Sequence, residues 1–131
     1  MSVRHAVAVS LALLWGAASA QDGVVNERIP KQGLDAGKAA FLANCAACHQ
    51  PEGTGLTGAF PPLADSDYLE NTSKEQIIKI VLEGLSGPIK VNGKDYNTVM
   101  APLGHLSDSE IADILTYVYA SWDNPGTRVT A

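Results

Sequence analysis

Both cysteines of this chain lie close together, in the segment Cys45-Ala46-Ala47-Cys48-His49, and a histidine follows the second one directly. Thiols and imidazoles are the side chains that bind soft metals, form covalent links and exchange disulfides. The segment that contains both thiols and an adjacent imidazole therefore constrains the chain more than any other, whatever fold surrounds it.

Three common uses of closely spaced cysteines fit this segment poorly. A disulfide that closes only a two-residue gap removes little entropy from the unfolded chain and stabilises little. A thioredoxin-like redox pair follows a strand in a βαβ unit, whereas an Ala-rich, helix-forming segment precedes these cysteines. A zinc site would combine the motif with His105, but two adjacent ligands would have to converge and no second ligand pair follows at zinc-finger spacing.

The pattern Cys-x-x-Cys-His is a sequence to which haem is attached covalently. In a helical turn, Cys45 and Cys48 can reach the two vinyl groups on one side of a porphyrin and form thioethers. His49 then lies beneath the iron and supplies one axial nitrogen. The segment therefore predicts one covalent c-type haem, bound by Cys45, Cys48 and His49.

The amino terminus has the form of a secretory signal peptide over residues 1–20. It begins with basic Arg4, continues with an apolar run over 6–17 and ends in small residues up to Ala20. The run is too short to cross a bilayer, which needs about 20 apolar residues. We expect cleavage after Ala20, export to the periplasm and no membrane span in the mature chain. A flexible lead over 21–33 and a single domain over 34–131 would remain.

The charge balance argues against two classes of partner. Fourteen acidic residues face nine Lys and Arg, a net charge of −5. Nucleic acids and anionic membrane surfaces are bound through basic faces, which this composition does not supply. We therefore expect no nucleic acid as a partner.

Helix signals dominate the predicted domain. Helix-forming residues lead from near Asp35 to the cysteine motif. Ser73 and Ser107 each precede a helical apolar pattern and have Gln or Glu three residues later, which is a capping-box signal. We expect the second helix to stop at Gly84 and the third to continue through Trp122 until Asn124-Pro125.

A short ribbon and a long loop complete the prediction. Asn92-Gly93 is a two-residue hairpin signal between short β-prone segments. The Gly- and Pro-rich segment over 50–68 forbids regular structure and is predicted to pack against a ligand. The fold class is thus all-α, with three to four helices around a haem and a small β-ribbon. Four apolar side chains are expected to pack on the porphyrin: Phe60, Leu63, Leu82 and Leu115.

Two residues could supply the sixth ligand of the iron. Met100 is the only methionine beyond the leader and lies on a loop with Pro102 and Gly104, after the hairpin and well after His49. A core methionine is the commoner role for this residue type, but the loop setting favours a ligand. His105, the competitor, directly precedes the last helix, so we favour Met100.

The segments "GKAAFLANCAACHQPEGTG", "FPPLADSDYL" and "VMAPLGHLSDSEIADILTYV" resemble those of small single-haem cytochromes c of the Met/His-ligated class. The likeness covers nearly all of the predicted domain. Two segments, "FPPLADSDYL" and "GLSGPIKVNGKDYNTVM", are especially similar to haem domains associated with copper nitrite reductases and periplasmic dehydrogenases. The chain departs from the family in one place, because Ala101 separates the methionine from Pro102 where the family often has Met-Pro.

The resemblance implies a cytochrome c fold in which the motif helix crosses the last helix, with Gly37, Phe41 and Tyr117 at the crossing. It also implies that Pro61 offers its carbonyl to the His49 ring. The expected function is periplasmic electron transfer rather than enzymatic catalysis. The redox partner could be a nitrite reductase, a terminal oxidase or a periplasmic dehydrogenase. The alternatives are a subunit of a larger enzyme, or a haem enzyme or gas sensor with an open sixth site.

Overall fold

The computed structural model describes residues 31–131, so the predicted signal peptide and most of the predicted flexible lead lie outside the described residues. Within them, five helical segments and one two-stranded ribbon follow in this order: α1 Lys31–Asn44, α2 Ala46–His49, α3 Asp67–Asn71, α4 Lys74–Glu83, β1 Ile89–Val91, β2 Lys94–Tyr96 and α5 Asp108–Tyr119. This all-α architecture with a small ribbon confirms the predicted fold class. None of the helices over 31–131 is long and apolar enough to cross a bilayer.

Side-chain caps start α4 and α5 where the sequence predicts. The Ser73 hydroxyl accepts a hydrogen bond from the Gln76 backbone N–H. At α5 the full capping box forms, because Ser107 accepts from the Glu110 N–H while the Glu110 carboxylate accepts from the Ser107 N–H. These hydrogen bonds satisfy backbone donors that have no partner within the helix. The Ser107 hydroxyl also donates to the Glu110 carboxylate at 2.7 Å, and this bond, with the one from the Ser107 N–H, lowers the pKa of Glu110.

Two predicted helix boundaries are wrong. α1 begins at Lys31 rather than near Asp35, because Lys31 and Gln32 are themselves good helix formers. α5 ends at Tyr119, and Trp122 lies beyond it with a positive φ of 53°. The spacing of Trp122 matched a helix, but its ring instead turns back onto Phe41, with ring centroids 5.3 Å apart.

The ribbon confirms the hairpin prediction. Asn92 and Gly93 have φ values of 49° and 74°, the left-handed conformation that a tight two-residue turn requires. Strand pairing places Ile89 opposite Tyr96 and Val91 opposite Lys94. Since cross-strand partners share a face, Ile89, Val91 and Tyr96 form one apolar face of the ribbon.

α1 and α5 cross in direct backbone contact. Gly37 is buried in α1, and a Cβ atom built on it would overlap the carbonyl of Asp113 in α5. Phe41, one turn later, is fully buried and packs on Tyr117 with ring centroids 5.6 Å apart. The three residues expected at the helix crossing therefore do meet there, and Trp122 joins them.

Replacement of Gly37 by alanine should destabilise the protein, because the new methyl group must separate the two helices. Forcing a methylene into a packed core costs about 1–3 kcal/mol. Gly33→Ala is the matched control, since it lies in the same helix with no atom within 4 Å of the built Cβ. That variant should unfold at the wild-type denaturant concentration or slightly above it. Equal midpoints for the two variants would contradict the close contact.

Candidate haem-attachment site

The attachment motif forms a helical turn that continues α1. The Cys45 N–H donates to the Phe41 carbonyl at 2.8 Å, and the His49 N–H donates to the Cys45 carbonyl at 2.9 Å. Cys45 lies between α1 and α2 and interrupts the helix only slightly, with φ −118° and ψ −34°. The motif therefore follows directly from the helix that α5 holds in place.

The motif opens onto two adjoining cavities. The inner one has a volume of about 100 Å³ and the outer one about 220 Å³. The ionisable residues in the two linings are His49, the two cysteines, Tyr68 and Tyr96. Seven residues border both cavities: Cys45, His49, Pro61, Leu85, Ile89, Met100 and Leu103. Together the cavities form one apolar cleft between the motif, the ribbon, α4 and α5.

The His49 ring has a defined orientation. Its Nδ1 lies 2.9 Å from the Pro61 carbonyl oxygen, and because a carbonyl can only accept, Nδ1 carries the proton and donates. Burial lowers the pKa of His49, while the hydrogen bond to Pro61 acts in the opposite direction. A neutral imidazole that is protonated at Nδ1 leaves the Nε2 lone pair available for a metal. The contact that the family resemblance implied for Pro61 is thus present.

The two cysteines are unsuited to redox or zinc chemistry in this fold. Both are free thiols, and burial, with a contribution from Cys48, raises the pKa of Cys45 to about 11. Redox-active pairs instead have a lowered thiol pKa. Over residues 31–131, no group of three or more His, Cys, Asp or Glu side chains is arranged to hold a metal ion. The disulfide, redox-pair and zinc interpretations therefore lose their structural support.

Met100 lines both cavities, as His49 does, but from a different part of the chain. Its backbone is fixed by an isolated bridge to Leu85, with N···O distances of 2.8 and 3.1 Å. Gly84 permits this approach, because a Cβ there would lie 2.5 Å from the Met100 carbonyl. His105, in contrast, is exposed and borders neither cavity.

The expected porphyrin contacts are only partly present. Leu63 and Leu115 line the inner cavity and Phe60 lines the outer one. Leu82 was predicted to join them but lies on another face of α4, beside a groove that it shares with Ile111 and Val129. The ribbon side chains Ile89, Val91 and Tyr96 also line the cavities and were not predicted as parts of the site. The alternating apolar residues of the ribbon could have indicated a packed face.

The described residues fit a covalent haem. Two free thiols and an imidazole lie on one turn, at the edge of an apolar cleft that has a second potential ligand in Met100. Such a set of side chains within a small helical fold defines a haem protein of the c type.

The comparisons with known proteins name the family. The family model for cytochrome c matches residues 34–122, so the chain belongs to the cytochrome c family. Cytochrome c-552 of Thermus thermophilus is 42% identical over 87 residues, an alignment that covers 64% of this chain and 66% of that protein. Cys45 and Cys48 of the present chain thus carry a c-type haem. The domain belongs to a class of proteins that transfer electrons.

Other relatives are subunits of larger enzymes. The cytochrome c subunit of the quinone alcohol dehydrogenase of Gluconobacter oxydans is 33% identical over 111 residues, with 81% of this chain and 23% of that subunit covered. The oxidase subunit FixP of a Bradyrhizobium species is 39% identical over 84 residues, with coverages of 63% and 28%. This chain therefore matches less than a third of the length of each of these subunits.

A solved structure shows the same fold. The c-type cytochrome XoxG of Methylobacterium extorquens AM1 superposes with a TM-score of 0.53 over 75% of this chain and 57% of that one, at 24% identity. The similarity to cytochromes and dehydrogenase subunits agrees with the sequence interpretation. The more specific likeness to haem domains of copper nitrite reductases stays a prediction.

The thioether links can be tested by mass. Protein matured in a periplasm with haem-attachment machinery should have the mass of the polypeptide plus one haem, and acidified acetone should not extract the haem. Replacement of Cys45 and Cys48 by Ala should abolish the mass increase. It should also leave the chain without a cooperative unfolding transition, because the apolar walls of the cleft would lose their filling. Extractable haem, or native-like melting of the double variant, would contradict the assignment.

Proposed function

We propose that this chain is an exported electron carrier whose haem iron is bound by His49 and Met100. The observation that supports it most directly is that both side chains line the same two cavities from separate segments. Bacterial c-type cytochromes are usually exported, which agrees with the predicted signal peptide over residues 1–20. When bound, the haem supplies a one-electron couple between ferrous and ferric iron.

The residues of the cleft favour the reduced form. A thioether ligand from Met100 stabilises ferrous iron and raises the reduction potential. The apolar walls act in the same direction, because a low-dielectric site disfavours the additional charge of the ferric state. Pro61 holds the His49 ring in place, so the ligand needs little rearrangement when the oxidation state changes.

Electron exchange with a partner would take place at the outer cavity. Its lining includes Cys48 and Val99, which are both exposed, so a haem attached to Cys48 would be accessible to a partner protein from this side. The relatives' names point to two classes of partner, a periplasmic dehydrogenase and a terminal oxidase. Either a free carrier or a subunit of such an enzyme agrees with this surface.

The enzyme or gas-sensor alternative requires an open sixth position. A haem enzyme would also need an acid or base beside the iron, and His105, the histidine considered for this role, lies outside the cleft. An iron bound by both the His49 nitrogen and the Met100 sulfur would have no position left for dioxygen or carbon monoxide.

Variants of Met100 and His105 discriminate between these functions. The ferric wild type should show the weak near-infrared charge-transfer band of a thioether ligand, and the ferrous form should not bind carbon monoxide at neutral pH. Met100→Ala should remove the band, lower the potential and allow carbon monoxide to bind. His105→Ala, the control, should leave all three properties unchanged. The carrier proposal fails if the wild type binds carbon monoxide readily, or if His105→Ala alters the iron spectrum.

A further inference from the structure

The side chain of Asn124 connects three separate parts of the fold. Its Nδ2 donates to the Leu63 carbonyl at 2.8 Å and to the Val118 carbonyl at 2.9 Å. Its Oδ1 accepts from the Ser66 N–H at 3.2 Å. Both amide hydrogens and the oxygen are thus in use, and they join the end of α5 to the loop that leads into α3.

That loop forms the wall against which His49 rests. Pro61 supplies the carbonyl that accepts the hydrogen bond from the His49 Nδ1–H, and Leu63 and Ser66 border the inner cavity. On the motif side, the Leu63 N–H donates to the Gly53 carbonyl at 2.7 Å. On the other side, Asn124 attaches the same segment to α5.

Two consecutive prolines, Pro61 and Pro62, make the loop over 61–66 stiff. Pro61 and Pro62 have φ locked by their rings, so the segment has few torsions with which to absorb a shift. We therefore expect a shift of the Leu63 carbonyl to be passed in part to the Pro61 carbonyl. The close approach of Gly55, whose built Cβ would lie 2.6 Å from the Pro61 oxygen, limits movement on the opposite side.

We propose that Asn124 is a positioning residue for the haem ligand, and that it sets the strength of the His49–Pro61 hydrogen bond and thereby the reduction potential. The inference rests on the proposed function, in which His49 is an axial ligand. Asn124 touches neither cavity, so its effect on the iron passes through the loop over 61–66.

The direction of the effect follows from the charge on the imidazole. A strong Nδ1–H···O bond makes the ring a more electron-rich ligand, which stabilises ferric iron. Without the Asn124 amide, the Pro61 carbonyl is held less firmly and the ring becomes a weaker donor to the iron. The reduction potential should therefore rise, and the Nδ1 proton should exchange faster with solvent.

Thr116→Val provides a control for stability alone. The buried Thr116 hydroxyl donates to the Val129 carbonyl at 3.1 Å and accepts from the Val129 N–H at 2.9 Å. These bonds, like those of Asn124, join α5 to another segment, but neither residue lines a cavity of the cleft. Its loss removes two buried hydrogen bonds with little change of shape. Like Asn124→Ala, it should lower the melting temperature of the holo-protein.

The experiment measures the reduction potential, the melting temperature and, by NMR of the ferrous holo-protein, the exchange of the His49 Nδ1 proton. Asn124→Ala should raise the potential and speed proton exchange about tenfold, as expected when the His49–Pro61 contact is weakened by about the free energy of one hydrogen bond. Thr116→Val should lower the melting temperature without changing potential or exchange. Where Asn124→Ala yields too little holo-protein, Asn124→Asp keeps the acceptor for Ser66 but removes both donors, and should shift exchange in the same direction.

Two results would overturn the positioning role: an unchanged potential and exchange rate in the Asn124 variants, or equal shifts in Thr116→Val. Failure of the proposed function is recognised separately, because it shows in the wild type as a missing thioether band. A wild type with that band and an Asn124→Ala variant with unaltered exchange would overturn the positioning role alone.

Discussion

The direct contact between α1 and α5 at Gly37 is the constraint on which the site depends. Since the attachment motif follows directly on α1, with only a slight interruption at Cys45, the position of that helix on α5 determines where Cys45, Cys48 and His49 lie. The same contact buries Phe41, which also lines the inner cavity. One glycine without a side chain thus sets the distance between the helix that carries the haem and the helix that forms the back of its cleft.

Part of the remaining wall comes from segments that have little regular structure of their own. Hydrogen bonds from side chains and isolated backbone bridges hold these segments, as at Asn92, which accepts from the Asp67 N–H and donates to the Asp65 carbonyl. Leu85 fixes Met100 in a similar way. A small domain with a large apolar cleft has a modest core, so a covalently attached haem would supply much of the missing interior.

Local signals in the sequence were sufficient for much of this fold. The capping serines, Asn92-Gly93 and the cysteine motif act over a few residues, so their structures could be predicted without knowledge of the rest. The roles of Trp122, Leu82 and Asn124 depend on contacts with residues far away in the sequence. Trp122 fitted a helical pattern, yet the chain leaves the helix at Tyr119 because the ring packs on Phe41 and the tail caps the last carbonyls. Such contacts are decided by tertiary packing.

The central claim is that the iron is bound by one nitrogen from His49 and one sulfur from Met100. X-ray absorption at the iron edge of the ferric holo-protein tests it directly, because sulfur and nitrogen neighbours scatter differently. The account predicts a six-coordinate iron with a single sulfur neighbour in addition to the porphyrin and imidazole nitrogens, and loss of the sulfur in Met100→Ala. A coordination shell of nitrogen alone, or a five-coordinate iron, would contradict it.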